Sequence, residues 1–129
     1  GQFAKYDLEA GEVNFDGAGE FMLVLNEVKL YDARETYKDF AMKATNGDMV
    51  PRLFKTNIGD IYTTNCVGAG NTDGKVDYEG IELEVGDIVG PTEASKGFLV
   101  KDGDEGIQFQ VVKVYTMADG QPAVKLMRI

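Results

Sequence analysis

The side chains in this sequence that could do chemistry are mostly carboxylates. Cys66 is the only cysteine, Ser95 the only serine, and histidine is missing altogether. Acyl transfer of the Ser/His/Asp kind and Cys/His catalysis both need an imidazole base that the composition does not supply. Zinc and copper sites lose their preferred nitrogen and sulfur ligands for the same reason. A glycosidase-like acid pair needs two carboxyl groups converging beside a sugar cleft. With 22 acidic residues and no tryptophan to stack on a ring, most of these acids read as solvated surface. The chain is therefore expected to be non-enzymatic, with no catalytic residues and no cofactor.

Two glycine turns carry oxygen ligands suited to calcium, Asn71-Thr72-Asp73-Gly74 and Asp102-Gly103-Asp104-Glu105. An EF-hand loop would need an oxygen ligand where Lys75 stands, and no flanking helices are visible. Asp-Gly pairs are ordinary hairpin chemistry, so no metal site is assigned. The run Gly68–Gly74 has the glycine content of a phosphate loop. The Lys75-Val76-Asp77-Tyr78 that follows starts no helix, and without a helix N-terminus the loop has nothing to hold a phosphate. It reads as surface. Cys66 reads as a small apolar residue at the end of a strand, not as a reactive thiol.

Charge narrows the partners further. Thirteen basic against 22 acidic residues give 13 − 22 = −9 over 129 residues. That balance disfavours nucleic acid, whose phosphates need clustered Lys and Arg, and it disfavours anionic lipid. The charge is unevenly spread: residues 73–105 hold ten acids and three bases, whereas 106–129 hold one acid and three bases. The longest apolar run, Phe21–Leu25, is far short of the roughly 20 residues that span a bilayer. No basic-then-apolar leader opens the sequence. A soluble protein made in a reducing cytosol is expected.

The elements that must position these residues read as β-structure. Glu20–Tyr31 is expected as the first strand, with a possible short helix near 33–39 behind the Asp32–Glu35 capping-box spacing. Ala41–Thr45 and Leu53–Thr56 flank Asn46-Gly47, a hairpin turn, with Pro51 at an edge or bulge. A strand opens at Ile58-Gly59-Asp60-Ile61 and runs through Val67. Ile81–Val85 alternates as a half-buried strand. The Gly-Asp-Ile triplet returns at Gly86–Ile88, and two copies of three residues fit turn chemistry better than a duplication. Ile107–Met117 and Ala123–Ile129 form a final hairpin around Asp119-Gly120. Short strands between Gly/Asp turns predict an all-β barrel or sandwich. Residues 21–129 form its single domain. Residues 1–20, glycine-punctuated yet aromatic, read as an extended arm or a loosely attached first strand that must pack on something, its own domain being the plainer choice.

Three segments bear a resemblance to known proteins. Tyr31–Met42 and Val50–Asn65 (containing Pro51-Arg52-Leu53-Phe54 and Ile58-Gly59-Asp60-Ile61) resemble small structural proteins of tailed bacteriophages. Val111–Lys125 is similar to the ends of phage head-associated proteins. The resemblance implies a β-rich capsid decoration or head-fibre-type subunit, often oligomeric, that sits on the major capsid protein in the virion after synthesis in the host cytoplasm. It carries over no catalytic residues. Phe3, Tyr6, Leu8 and Phe15 are the expected anchors of a contact arm, because buried aromatic and aliphatic anchors dominate interface energetics. The arm's removal is expected to leave the domain folded. A tail or fibre component, a small-ligand or partner-binding module, and a calcium-stabilised module are the alternatives.

Overall fold

The computed structural model of the protein describes residues 1–27, 50–68 and 83–129. The expected helix near 33–39, the Asn46-Gly47 turn with the strand before it, and nearly all of the 68–74 loop lie outside these residues. The described part is all β, without a helix, and forms two antiparallel sheets in a sandwich-like arrangement, with no closed barrel.

The first sheet has four strands in the order β2-β1-β3-β4, formed by Phe3–Asp7 (β1), Glu12–Asn14 (β2), Met22–Val24 (β3) and Leu53–Phe54 (β4). The first strand after the N-terminal segment thus begins where Glu20–Tyr31 predicts, but is shorter within the described residues. Its neighbour β4 is the last strand of this sheet among the described residues and begins just after Pro51. The second sheet has five strands in the order β5-β9-β8-β6-β7. These are Ile61–Thr64 (β5), Ile88–Pro91 (β6), Leu99–Lys101 (β7), Phe109–Thr116 (β8) and Pro122–Arg128 (β9). The closing hairpin sits where its Val- and Tyr-rich sequence predicts, with Gly120 at φ +86° in its turn. A bulge between Val111 and Lys113 leaves Val112 exposed.

Two expectations are corrected. The alternation of Ile81–Val85 does not produce a strand in its described part: Leu83 is buried, and Glu84–Asp87 is a turn. The local pattern is overridden because Asp87 accepts a bond from the Glu84 amide at 2.9 Å and closes the chain on itself. Nor do residues 1–20 hang from the domain. Phe3 is fully buried and its ring meets that of Phe109 at 5.4 Å between centroids. The β1 strand pairs on one side with β2 and on the other with β3. Phe3 of this segment is spent on the domain's own core, which also holds Phe21, Val67, Val89, Leu99, Ile107, Val111, Val124 and Leu126.

One buckle receives this strand. In Thr92–Gly97 the Ser95 amide bonds the Thr92 hydroxyl, the Thr92 amide bonds the Ser95 hydroxyl, and Ser95 also donates to the Phe98 carbonyl. The single serine is therefore buried as a turn staple. The turn ends with Lys96 and Gly97 at φ +51° and +75°, and the Gly97 carbonyl accepts the Phe3 amide at 2.8 Å. A Cβ on Gly97 would stand 1.7 Å from the Phe3 carbonyl oxygen. Arg128 of β9, the cross-strand partner of Phe109, reaches Thr56 at 2.8 Å and Glu20 at 3.2 Å, tying the chain around β3 and β4 to the second sheet.

Phe3→Ala is expected to lower the unfolding free energy by about 3–5 kcal/mol, as for other buried aromatics cut to alanine, and Gly97→Ala is expected to be at least as damaging. Denaturant melts of both variants check this; wild-type stability in either would detach β1 from the core. Among the described residues the Tyr62 hydroxyl is buried without a hydrogen-bond partner, while its ring packs edge-on against Phe109. Removing an unsatisfied buried hydroxyl relieves roughly 1 kcal/mol or more, so Tyr62→Phe should melt higher than the wild type in the same assay.

Candidate interaction surface

The repeated Gly-Asp-Ile triplet builds the same device twice. In Asn57-Ile58-Gly59-Asp60 the Asp60 amide donates to the Asn57 carbonyl at 3.0 Å, and the Asp60 carboxylate accepts the Asn57 amide at 2.8 Å. In Glu84-Val85-Gly86-Asp87 the corresponding distances are 3.1 and 2.9 Å. Gly59 at φ +94° and Gly86 at φ +100° hold the third position of each turn, the left-handed conformation a type II turn needs there. Each turn then docks on the central hairpin by one pair of bonds. Gly59 donates to the Arg128 carbonyl and Arg128 to that of Asp60, both at 2.9 Å. Gly86 donates to the Val111 carbonyl at 2.8 Å and Val111 to that of Asp87 at 2.9 Å.

The register makes these two dockings mates across a local two-fold. Ile61 pairs with Met127 and Ile88 with Gln110, while Gln110 and Met127 pair with each other. An axis through the Gln110–Met127 pair therefore exchanges β8 with β9 and one turn with the other. The relation is confined to the turns and the first strand residues, since β5 goes on as Tyr-Thr-Thr and β6 as Val-Gly-Pro. The turn reading of the triplet thus accounts for both copies.

In both turns the residue before the glycine is a large aliphatic one left in water: Ile58 is 81% exposed and Val85 68%. The β1–β2 hairpin does the same at its tip. The Asp7 carboxylate accepts the amides of Glu9 and Ala10 at 3.0 and 3.1 Å, Gly11 turns at φ +68°, and Leu8 is 83% exposed. Three Asp-fastened turns therefore carry an outward aliphatic side chain on a hydrogen-bonded backbone.

Of the four expected anchors, the structure leaves two at the surface. Tyr6 and Leu8 face water. Phe3 belongs to the core, a correction forced by its packing on Phe109, and no partner can reach it in this fold. Phe15 is half-buried against its own domain, with Cε1 3.3 Å from where a Gly97 Cβ would stand. Sequence reading missed Ile58 and Val85; the apolar-Gly-Asp spacing, read as a type II turn, is the signal that places them outside.

The titratable groups serve the same turns. Hydrogen bonds from the Ala10 amide, and then those of Glu9 and Asn14, hold the Asp7 carboxyl below the usual carboxylate range. The Glu84 amide and the Lys101 ammonium, 3.0 Å away, do so for Asp87. Burial pushes the Cys66 thiol up, so at neutral pH it is the protonated, unreactive form. In the Asp102–Gly106 turn the Glu105 carboxylate accepts the Glu93 amide at 2.9 Å, and no group of three or more metal-ligating side chains gathers among the described residues. No helix there is long and apolar enough to cross a membrane. Comparison with protein-family models, curated proteins and solved structures finds no match to this chain.

Because the folded-state pKa of Asp87 is depressed, its stabilising contribution is present above the ordinary value of about 4 and is lost as pH falls through the folded value. Melting temperature should drop on acidification below about pH 4. Asp87→Asn should melt lower than the wild type at neutral pH and show a shallower acid limb. Parallel acid limbs in the two proteins would contradict the role given to this carboxylate.

Proposed function

We propose that this chain is a virion structural subunit, a capsid decoration or head-associated protein that binds the surface of the major capsid protein and catalyses no reaction. The observation that carries the reading is the set of fastened turns presenting Leu8, Ile58 and Val85 to water. A lone exposed aliphatic residue is unremarkable. Three at the apex of hydrogen-bonded turns stand on backbone fixed in advance, and a preorganised backbone lowers the entropic cost of binding. The likeness of Tyr31–Met42, Val50–Asn65 and Val111–Lys125 to phage structural proteins supports the same reading, and the second of these segments contains the Ile58 turn. The acidic surface suits a subunit that must stay soluble at high concentration before it finds its place on a particle.

The test is made on the particles whose genome encodes the chain. An antibody against the protein should label the outside of their heads, and the Ile58→Ser/Val85→Ser double variant should fold normally yet lose at least tenfold in occupancy on particles stripped of the native protein. Label confined to tails assigns the subunit to a tail or fibre complex and overturns the head placement. Absence from purified particles overturns the structural role.

A further inference from the structure

On a chain of formal charge −9, the outward face of β5, β8 and β9 carries two lysines and no acid. Strands β5, β8 and β9 contain no Asp or Glu. By register and alternation, their outward positions are Ile61 and Thr63 on β5, Gln110, Lys113 and Tyr115 on β8, and Lys125 and Met127 on β9. Tyr115 lies across β9 to meet the Thr63 hydroxyl at 2.9 Å, and the Lys113 ammonium stands 5.2 Å from the Tyr115 ring. Lys113 and Lys125 are direct cross-strand partners. Like charges in that position destabilise a sheet, and no ion pair relieves either one among the described residues. Beside them Ile61 is 58% exposed and Met127 half-buried.

The complementary surface is on the same molecule at the other sheet. The β1–β2 tip sets exposed Leu8 between Asp7 and Glu9, with Glu12 facing Asp7 across the hairpin. Asp7 is engaged by amides of the turn, while Glu9 and Glu12 are exposed with no side-chain ion pair among the described residues. An aliphatic knob with two acids beside it thus matches an aliphatic row with two lysines on the adjacent outward rung. We infer that the protein self-associates head to tail, the Leu8 tip of one copy seated on the Ile61–Met127 row of the next, with Glu9 and Glu12 placed against Lys113 and Lys125. The contact joins two different patches, so it builds a ring where the rotation closes. It relieves the lysine–lysine repulsion that the isolated subunit keeps, and it does not depend on what the assembled copies bind.

Sedimentation of the full chain over a range of concentrations tests this. Self-association is expected, and it should weaken at least tenfold between 0.05 and about 1 M salt as the screening length falls to about 3 Å. Lys113→Glu/Lys125→Glu and Glu9→Lys/Glu12→Lys should each be folded by circular dichroism and monomeric. An equimolar mixture of the two should associate again, because each reversed patch then meets an oppositely charged one on the other variant. A wild type that is monomeric at all concentrations overturns the proposal. So does association that survives both reversals, or a mixture that stays monomeric when each variant is monomeric alone.

Discussion

The contact on which the described fold depends is the burial of Phe3 against Phe109. It brings the first strand of the chain onto the middle of the second sheet, at 5.4 Å between ring centroids. That approach is possible only because Gly97 has no side chain: its backbone takes a positive φ and its carbonyl accepts the Phe3 amide. The Thr92–Ser95 bonds fix this buckle, and β1 in turn is the template for β2 and β3. Loss of this packing contact would leave Phe21, Leu23 and the Arg128 bonds as the four-stranded sheet's remaining hold on the core. The Arg128 bonds to Glu20 and Thr56 join the same pair of sheets beside this contact, the guanidinium 5.7 Å from the Phe109 ring. Charge-assisted bonds of this kind are directional, so they fix the sheets' registration where hydrophobic packing alone would not.

The outward features follow from how the turns are fastened. A type II turn whose fourth residue is Asp satisfies its own first amide and leaves its second side chain pointing away from the strand that follows. The second sheet uses this device twice about the Gln110–Met127 pair, and the β1–β2 tip reaches a similar result with Asp7 and Gly11. The aliphatic groups so displayed, together with the lysine face of β8 and β9, are the parts of the surface with something to offer another protein. The proposed attachment to a capsid surface draws on Leu8, Ile58 and Val85, and the proposed head-to-tail contact on Leu8 together with the lysine face.

Much of the β architecture was legible in the sequence, and the reasons are specific. The last hairpin is a long Val-, Phe- and Tyr-rich run broken by Asp119-Gly120, a pattern that permits little else. Gly59 and Gly86 likewise mark turns that local chemistry alone determines. The two misreadings have physical causes. The alternation of Leu83-Glu84-Val85 is compatible with a strand, but the Asp87 carboxylate outcompetes a ladder for the Glu84 amide. The first twenty residues carry glycines and acids like an arm, and nothing local reveals that Phe3 meets Phe109 or that Gly97, more than ninety residues later, is shaped to receive it. Contacts of that sequence separation leave no periodic trace. The candidate surface was half legible: Tyr6 and Leu8 were found from composition, whereas Ile58 and Val85 needed the turn geometry.

Native-state hydrogen exchange tests most directly whether the N-terminal strand belongs to the core. The amide of Phe3, bonded to the Gly97 carbonyl, should exchange through the same global opening as those of Val111 and Arg128 in the second sheet. Matching opening free energies, falling together with added denaturant, are the predicted result. Exchange of Phe3 at the rate of an unstructured peptide while Val111 and Arg128 stay protected would contradict the account.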